Sequence, residues 1–290
     1  MKASAFALLA FIASLLAVVE AAYSWASFHG LTRKEFESKL DGYIKLDGWH
    51  ITYISAHSNA LGNSTFCAVF DAPETTYPGW YTYYDNTLEE YRKEVNDRRR
   101  RGFRLSQVDG DSAYGKRYFN SIWERNTKNI QWVEKINQPS HVFDKSYKEY
   151  VSKGYRLRTL SGYGFNGEQQ FASVWEKKPG PPQKAYTRLT AAKFKTTFDQ
   201  ARKDGYYPLH ISPYNLGKEV YFAGIFEKLD GKADKPECQW GLTSDEYVKV
   251  FNNWRNKGYK PTVVEGYLDG GHKYAAIFNK IPSGKAQTRV

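Results

Sequence analysis

Leu242–Lys280 reads LTSDEYVKVFNNWRNKGYKPTVVEGYLDGGHKYAAIFNK, and four other stretches of the chain repeat its grammar. Thr243-Ser244-Asp245-Glu246 has the form of a capping box, in which a threonine hydroxyl and a glutamate carboxylate satisfy amides that a helix start leaves unpaired. Tyr247, Phe251 and Trp254 follow at four- and three-residue spacings and so share a helix face. Gly258 stands where the helix would end in a left-handed conformation that a residue with a Cβ resists. Beyond it, Tyr259 to Tyr267 and Lys273 to Lys280 are rich in aromatic and β-branched residues and flank Leu268-Asp269-Gly270-Gly271, the pattern of a β-hairpin.

The helix-ending glycines are Gly48, Gly102, Gly154, Gly205 and Gly258, spaced 54, 52, 51 and 53 residues apart, and an aromatic follows each. Seven residues after each glycine stands a polar residue (Ser55, Asp109, Ser161, Ser212, Glu265), preceded by an aliphatic one (Ile54, Val108, Leu160, Ile211, Val264). The last strand of every copy runs aromatic, two small or polar residues, β-branched, aromatic, from Phe66 to Phe70 through Phe222 to Phe226 and Tyr274 to Phe278. Such self-similarity at a fixed period marks a repeat architecture. Short aromatic segments before each helix add another strand, so each unit reads strand, helix, strand, strand. Unit one carries one extra residue before Gly48 and has Asp41-Gly42 inside its helix, as an atypical terminal repeat would.

The fold class is therefore α+β: five tandem strand-helix-strand-strand repeats of about 52 residues, expected to close into a propeller-like ring, with an open curved array as the alternative. The repeats span about 23–73, 80–126, 130–178, 184–229 and 238–281 of a single domain over residues 22–281, followed by a flexible tail at 282–290. Pro179-Gly180-Pro181-Pro182 is the best candidate for a joint. Residues 1–21 read as a secretory signal peptide, with Lys2, an apolar run from Ala5 to Val19 and small residues at Val19 and Ala21. The expectation is a secreted, extracellular monomer without a membrane span. Cys67 and Cys238 are an even count in an exported chain and argue for a disulfide that would bring the first and last repeats together; two separate buried thiols are the competing reading. Asn63-Ser64-Thr65 is a glycosylation acceptor in the first hairpin loop.

Gly154-Tyr155-Arg156-Leu157-Arg158-Thr159-Leu160-Ser161-Gly162-Tyr163 with Phe171-Ala172-Ser173-Val174-Trp175-Glu176-Lys177, introduced elsewhere by Leu-Thr and an aromatic four residues on, resembles the tandem repeats in the non-catalytic N-terminal region of fungal polyglycine hydrolases, secreted β-lactamase-like serine proteases. In that family catalysis is expected from a β-lactamase-like domain with a Ser-x-x-Lys nucleophile motif. No Ser-x-x-Lys occurs in this sequence, so the resemblance implies the accessory or recognition role of the repeats and not the proteolysis.

No phosphate loop, nucleophile elbow, zincin helix or paired-cysteine metal site is present, and neither a cofactor nor a metal is expected. The six histidines are isolated in sequence, and Asp109-Gly110-Asp111 is read as a turn. One feature stands out. Nine residues after each glycine stand His57, Asp111, Tyr163, Tyr214 and Tyr267, two residues beyond the polar column of Ser55, Asp109, Ser161, Ser212 and Glu265, and strand positions two apart share a side. The candidate ligand-binding residues are thus His57, Asp109, Asp111, Ser161, Tyr163, Ser212, Tyr214, Glu265 and Tyr267, against the plainer reading that the tyrosines seal the hairpin ends. Tyrosine beside carboxylate or hydroxyl suits sugars and polar peptides. The expected function is secreted, non-catalytic recognition of a glycan or extracellular protein through a rim of repeat hairpins. The alternative is a secreted enzyme of hydrolase, oxidase or luciferase type acting on a small molecule in a central cavity. The net charge of +11 favours an acidic partner, and export excludes nucleic acid as the physiological one.

Overall fold

The computed structural model describes residues 23–59, 61–72, 79–231, 233–282 and 287–288. The expected signal peptide lies outside the described residues. Among the described residues no helix is long and apolar enough to cross a membrane.

Every unit has the expected order. Unit one comprises β1 (Tyr23–Thr32), α1 (Arg33–Leu40), β2 (His50–Ser58) and β3 (Ser64–Asp71); unit two β4 (Trp80–Thr87), α2 (Leu88–Arg100), β5 (Phe103–Ala113) and β6 (Lys116–Arg125). Unit three comprises β7 (Gln131–Pro139), α3 (Ser140–Ser152), β8 (Arg156–Phe165) and β9 (Glu168–Lys177); unit four β10 (Gln183–Thr190), α4 (Ala191–Lys203), β11 (Tyr206–Leu216) and β12 (Glu219–Lys228). Unit five comprises β13 (Glu237–Leu242), α5 (Ser244–Asn256), β14 (Tyr259–Leu268) and β15 (His272–Lys280).

In each unit the last strand lies between the other two, antiparallel to both, as in the orders β4-β6-β5 and β13-β15-β14. A central strand buries both faces and therefore reads as a near-continuous apolar run. This is why Phe222, Ala223, Ile225 and Phe226 are all at most 1% exposed. The helix packs on it through one conserved register: Phe36 on Phe66, Tyr91 on Phe119, Phe143 on Phe171, Phe194 on Phe222 and Tyr247 on Tyr274, with ring centroids 4.6, 5.0, 5.2, 4.8 and 5.9 Å apart.

The helix starts form as the sequence predicts, with capping boxes at Thr32/Glu35, Thr87/Glu90 and Thr243/Glu246. Thr190 caps α4 alone, and α3 starts after Pro139 without a side-chain cap. Gly48, Gly102, Gly154, Gly205 and Gly258 follow the helices with φ between 68° and 82°. The extra residue of unit one is absorbed in a π-helical segment, Asp41–Leu46, between α1 and Gly48.

Two features depart from plain strands. The first strand of every unit carries a bulge before the helix, for instance between Lys135 and Gln138. One residue there has positive φ: Gly30, Asp85, Asn137, Arg188 or Gly241. Within the tail, Gln287–Thr288 form a short strand, β16, parallel to the start of β1.

Between units, β2 contacts β5, β5 contacts β8, β8 contacts β11, β11 contacts β14, and β14 contacts both β2 and β3. Lys260 of β14 pairs with Asp71 of β3 at 2.7 Å. The first and last repeats therefore touch, but not through sulfur. The expected disulfide is corrected: Cys67 and Cys238 are buried free thiols. Cys67, on a central strand, has the Gly30 amide and the Ser55 hydroxyl against its sulfur. Cys238 lies on the outer strand β13, opposite Ile277 and close to Arg202 of unit four. The two thiols thus have different neighbours, because β13 faces the preceding unit and not unit one.

Candidate functional site

The hairpin ends of all five units line a cavity of about 690 Å³. Of the nine sequence-predicted residues, His57, Asp109, Asp111, Tyr163, Ser212, Tyr214, Glu265 and Tyr267 line it, and Ser161 sits behind them. The structure brings them together by a rule the sequence does not reveal. In units two, three and four the side chain seven residues after the helix-ending glycine accepts a hydrogen bond from a backbone amide of the preceding unit, whereas Ser55 of unit one donates to the Val264 carbonyl of unit five at 2.7 Å. Asp109 accepts from the Ala56 amide at 2.9 Å, Ser161 from Gly110 at 3.0 Å, and Ser212 from Gly162 at 3.0 Å.

Unit four breaks the chain of bonds, because Pro213 has no amide hydrogen to offer. The Glu265 carboxyl is thereby left for another partner and accepts the Tyr53 hydroxyl, which also lies 3.4 Å from His210 Nε2. Glu265 is 3% exposed; burial, with the Asp109 carboxylate adding, holds its pKa well above the usual carboxylate range. Asp109 is pushed up to about 6 by burial, against the pull of its bonds from Ala56, Asn120, Ser161 and Gly110. Burial likewise raises Asp111 to about 7 and lowers His57 to about 3 and His210 to about 4, leaving both imidazoles neutral near pH 7.

The tyrosines do not stand free on the rim. Tyr163, Tyr214 and Tyr267 are 3%, 4% and 1% exposed, each wedged edge-on against the preceding unit's central strand at Phe119, Phe171 and Phe222. The Tyr163 hydroxyl accepts from the Asn137 amide at 3.2 Å and donates to Asn137 Oδ1 at 2.8 Å; the Tyr267 hydroxyl accepts from the Gly241 amide at 2.9 Å. These are the positive-φ bulge residues of their own units, whose amides the bulge turns out of the ladder. In unit two the bulge amide of Asp85 is taken instead by Asn120 Oδ1 at 3.0 Å, and in unit one the Gly30 amide meets the Cys67 sulfur. Where the outer column holds tyrosine the central-strand column is alanine (Ala172, Ala223, Ala275), and where it holds Asp111 or His57 that column is Asn120 or Cys67. This size exchange was visible in the sequence and is the signal that assigns the tyrosines a sealing role.

The histidines, isolated in sequence, are partly paired in space: His57 Nε2 lies 2.9 Å from His272 Nδ1 across the junction of units one and five. Among the described residues no group of three or more His, Cys, Asp or Glu is placed to hold a metal ion. Tyr53, Asn120 and His210 back the site without lining it, through the bonds of Tyr53 to Glu265 and Asn120 to Asp109 and the contact of His210 with Tyr53, and were not among its predicted residues, since each lies outside the two polar columns. What remains accessible for a ligand is the outer lining: Tyr114, 74% exposed, with Phe165, Ser112, Asn166 and Leu216.

Compared with known proteins, the chain matches the family described as polyglycine hydrolase-like, structural repeat, five times in tandem, at residues 22–73, 78–126, 129–178, 180–229 and 233–281.

Proposed function

The chain belongs to the polyglycine hydrolase-like structural repeat family, and from that premise we propose that it is a non-catalytic recognition module whose hairpin-end cavity takes a short, neutral, polar ligand such as a glycan. The observation that carries this reading is the cavity of about 690 Å³ to which all five repeats contribute. Its carboxylates are bonded inward, so it offers a sugar an aromatic edge at Tyr114 and Phe165 and hydrogen-bonding groups at Ser112 and Asn166 in place of a strong charge. The arrangement we infer is a propeller-like ring, supported by the cyclic succession of contacts that returns from β14 to β2. Work outside the cell fits the exposed acceptor Asn63 at the first hairpin.

The test is a glycan array followed by calorimetry on Leu216→Ala and on Tyr114→Asn, the second of which also removes the hydroxyl that donates to the Leu61 carbonyl of unit one. Binding weakened by both variants, with thermal unfolding unchanged, supports the reading; binding indifferent to both removes it.

One observation favours a second reading, an enzyme. Asp109 and Glu265 both line the cavity, the Asp109 carboxylate helps to raise the pKa of Glu265, and the two could divide the roles of base and acid. Turnover of a cavity-bound substrate that is abolished by Glu265→Gln while binding persists would establish it.

A further inference from the structure

The same five strands that end at the hairpin cavity enclose another space near their beginnings. It measures about 480 Å³ and is lined by Tyr53, Leu157, Arg158, Lys178, Leu209 and His210, among others. Along β2 and β11 its residues precede those of the first cavity by a few positions, so the two open toward opposite ends of the strands. The Tyr53–Glu265 bond, with His210 beside it, lies between them.

One wall is the Pro179-Gly180-Pro181 joint between units three and four. It is laid down tightly: Arg156 donates to the Pro181 carbonyl, and a Cβ on Gly180 would lie 2.7 Å from the Arg156 guanidinium carbon. The joint thereby holds Lys178 at the mouth. Behind it, Glu176 is fully buried and shared by Arg104, Arg158 and Lys178, while Glu124 pairs with Arg104 and Arg158. Three cations around two carboxylates leave one positive charge in excess. The members of the cluster that line the cavity are the cations Lys178 and Arg158, 43% and 28% exposed, while Glu176 is at 0% and Glu124, 21% exposed, lies outside the lining. Arg156 is neutralised by Glu227. The rest of the lining mixes apolar groups (Leu157, Val263, the prolines, and Leu209, which is 39% exposed) with uncharged polar ones such as Gln107, Thr159, Gln183 and Asn279.

We propose that this second cavity is a binding site for a small anion with an apolar body, an aromatic or short aliphatic carboxylate, whose head group meets Lys178 and Arg158 and whose body covers Leu209. An ion pair of that kind gains from the apolar walls, where its charge is less screened than on an open surface. Leu209 gains by removal from water.

The experiment titrates the full chain by calorimetry and saturation-transfer NMR with benzoate, and with benzyl alcohol as its uncharged counterpart. Benzoate is expected to saturate one site, to bind about tenfold tighter than the alcohol, and to weaken as salt rises. Lys178→Ala and Leu209→Ala should each weaken benzoate about fivefold, whereas Tyr114→Asn, at the other cavity, should leave it unchanged. Thermal unfolding of each variant confirms that the fold persists. Absence of benzoate binding, equal binding of the alcohol, or indifference to both Lys178→Ala and Leu209→Ala overturns the proposal.

Discussion

The ring of Tyr163 occupies the space that a Cβ on Gly110, one repeat earlier, would need: that carbon would lie 2.6 Å from Tyr163 Cε1. Tyr214 stands in the same relation to Gly162 at 2.5 Å, and His57 to Gly266 at 2.2 Å. None of these glycines has a positive φ, so what they supply is room. One alternation of small and large residues thus joins three of the unit junctions.

Gly110→Ala and Gly162→Ala should each destabilise the protein by about 1–3 kcal/mol, the cost of overpacking a filled core. The measurement is urea unfolding. Adding Tyr163→Ser to Gly110→Ala should recover part of the loss, a coupling that would be missing if Gly110 mattered only for its backbone.

Tyr163→Phe and Tyr267→Phe keep the ring and remove the hydroxyl that the Asn137 and Gly241 bulge amides use. Each should cost about 1–2 kcal/mol of stability. Glycan binding, once a ligand is found, should be unaffected at a ligand concentration that saturates the folded protein. A fall in affinity without a fall in stability would return these tyrosines to the ligand.

Asp109 titrates near 6 in the folded protein, above its ordinary 3.8. A carboxyl with a raised folded-state pKa favours folding when protonated, so its contribution is fully present below pH 4 and is lost as pH rises through about 6. Asp109→Asn removes that titration. The stability gap between the native sequence and Asp109→Asn should therefore widen, by about 2–3 kcal/mol, as pH falls from about 7 to 4. His57 and His210, whose lowered pKa values act in the opposite direction, are present in both proteins and cancel in the difference. Parallel pH profiles for the two proteins would contradict the burial of Asp109.

Cys67 and Cys238 should both titrate with a thiol reagent in denaturant and react slowly in the native protein. Burial raises both thiols, Cys67 to about 12, so the reactive thiolate is scarce and covered. A protein that shows no free thiol after unfolding would overturn the unbonded pair.

The repeats, their register and their helix caps were legible because each rests on local chemistry: a threonine and a glutamate three apart, a glycine after the last turn, an aromatic at a fixed offset. The extra residue of unit one was visible as a count, but the π-helical turn that takes it up was not. The candidate site was legible only in outline. The two polar columns do converge on one cavity, but Tyr53, Asn120 and His210 lie outside them, and Tyr163, Tyr214 and Tyr267 are buried where periodicity placed them at a rim. Strand alternation tells which side a residue faces and is silent about what the next unit lays over that side.

From the sequence alone came the module, its five copies and their α+β content, since helix capping, turn chemistry and strand alternation act within a few residues of one another. Only the tertiary structure decided that β14 returns to β2, that Pro213 leaves Glu265 to Tyr53, and that the two cysteines stay apart. Those outcomes depend on contacts between units that lie from about fifty residues apart in the chain to 212 for Tyr53 and Glu265, where no local preference can select the partners.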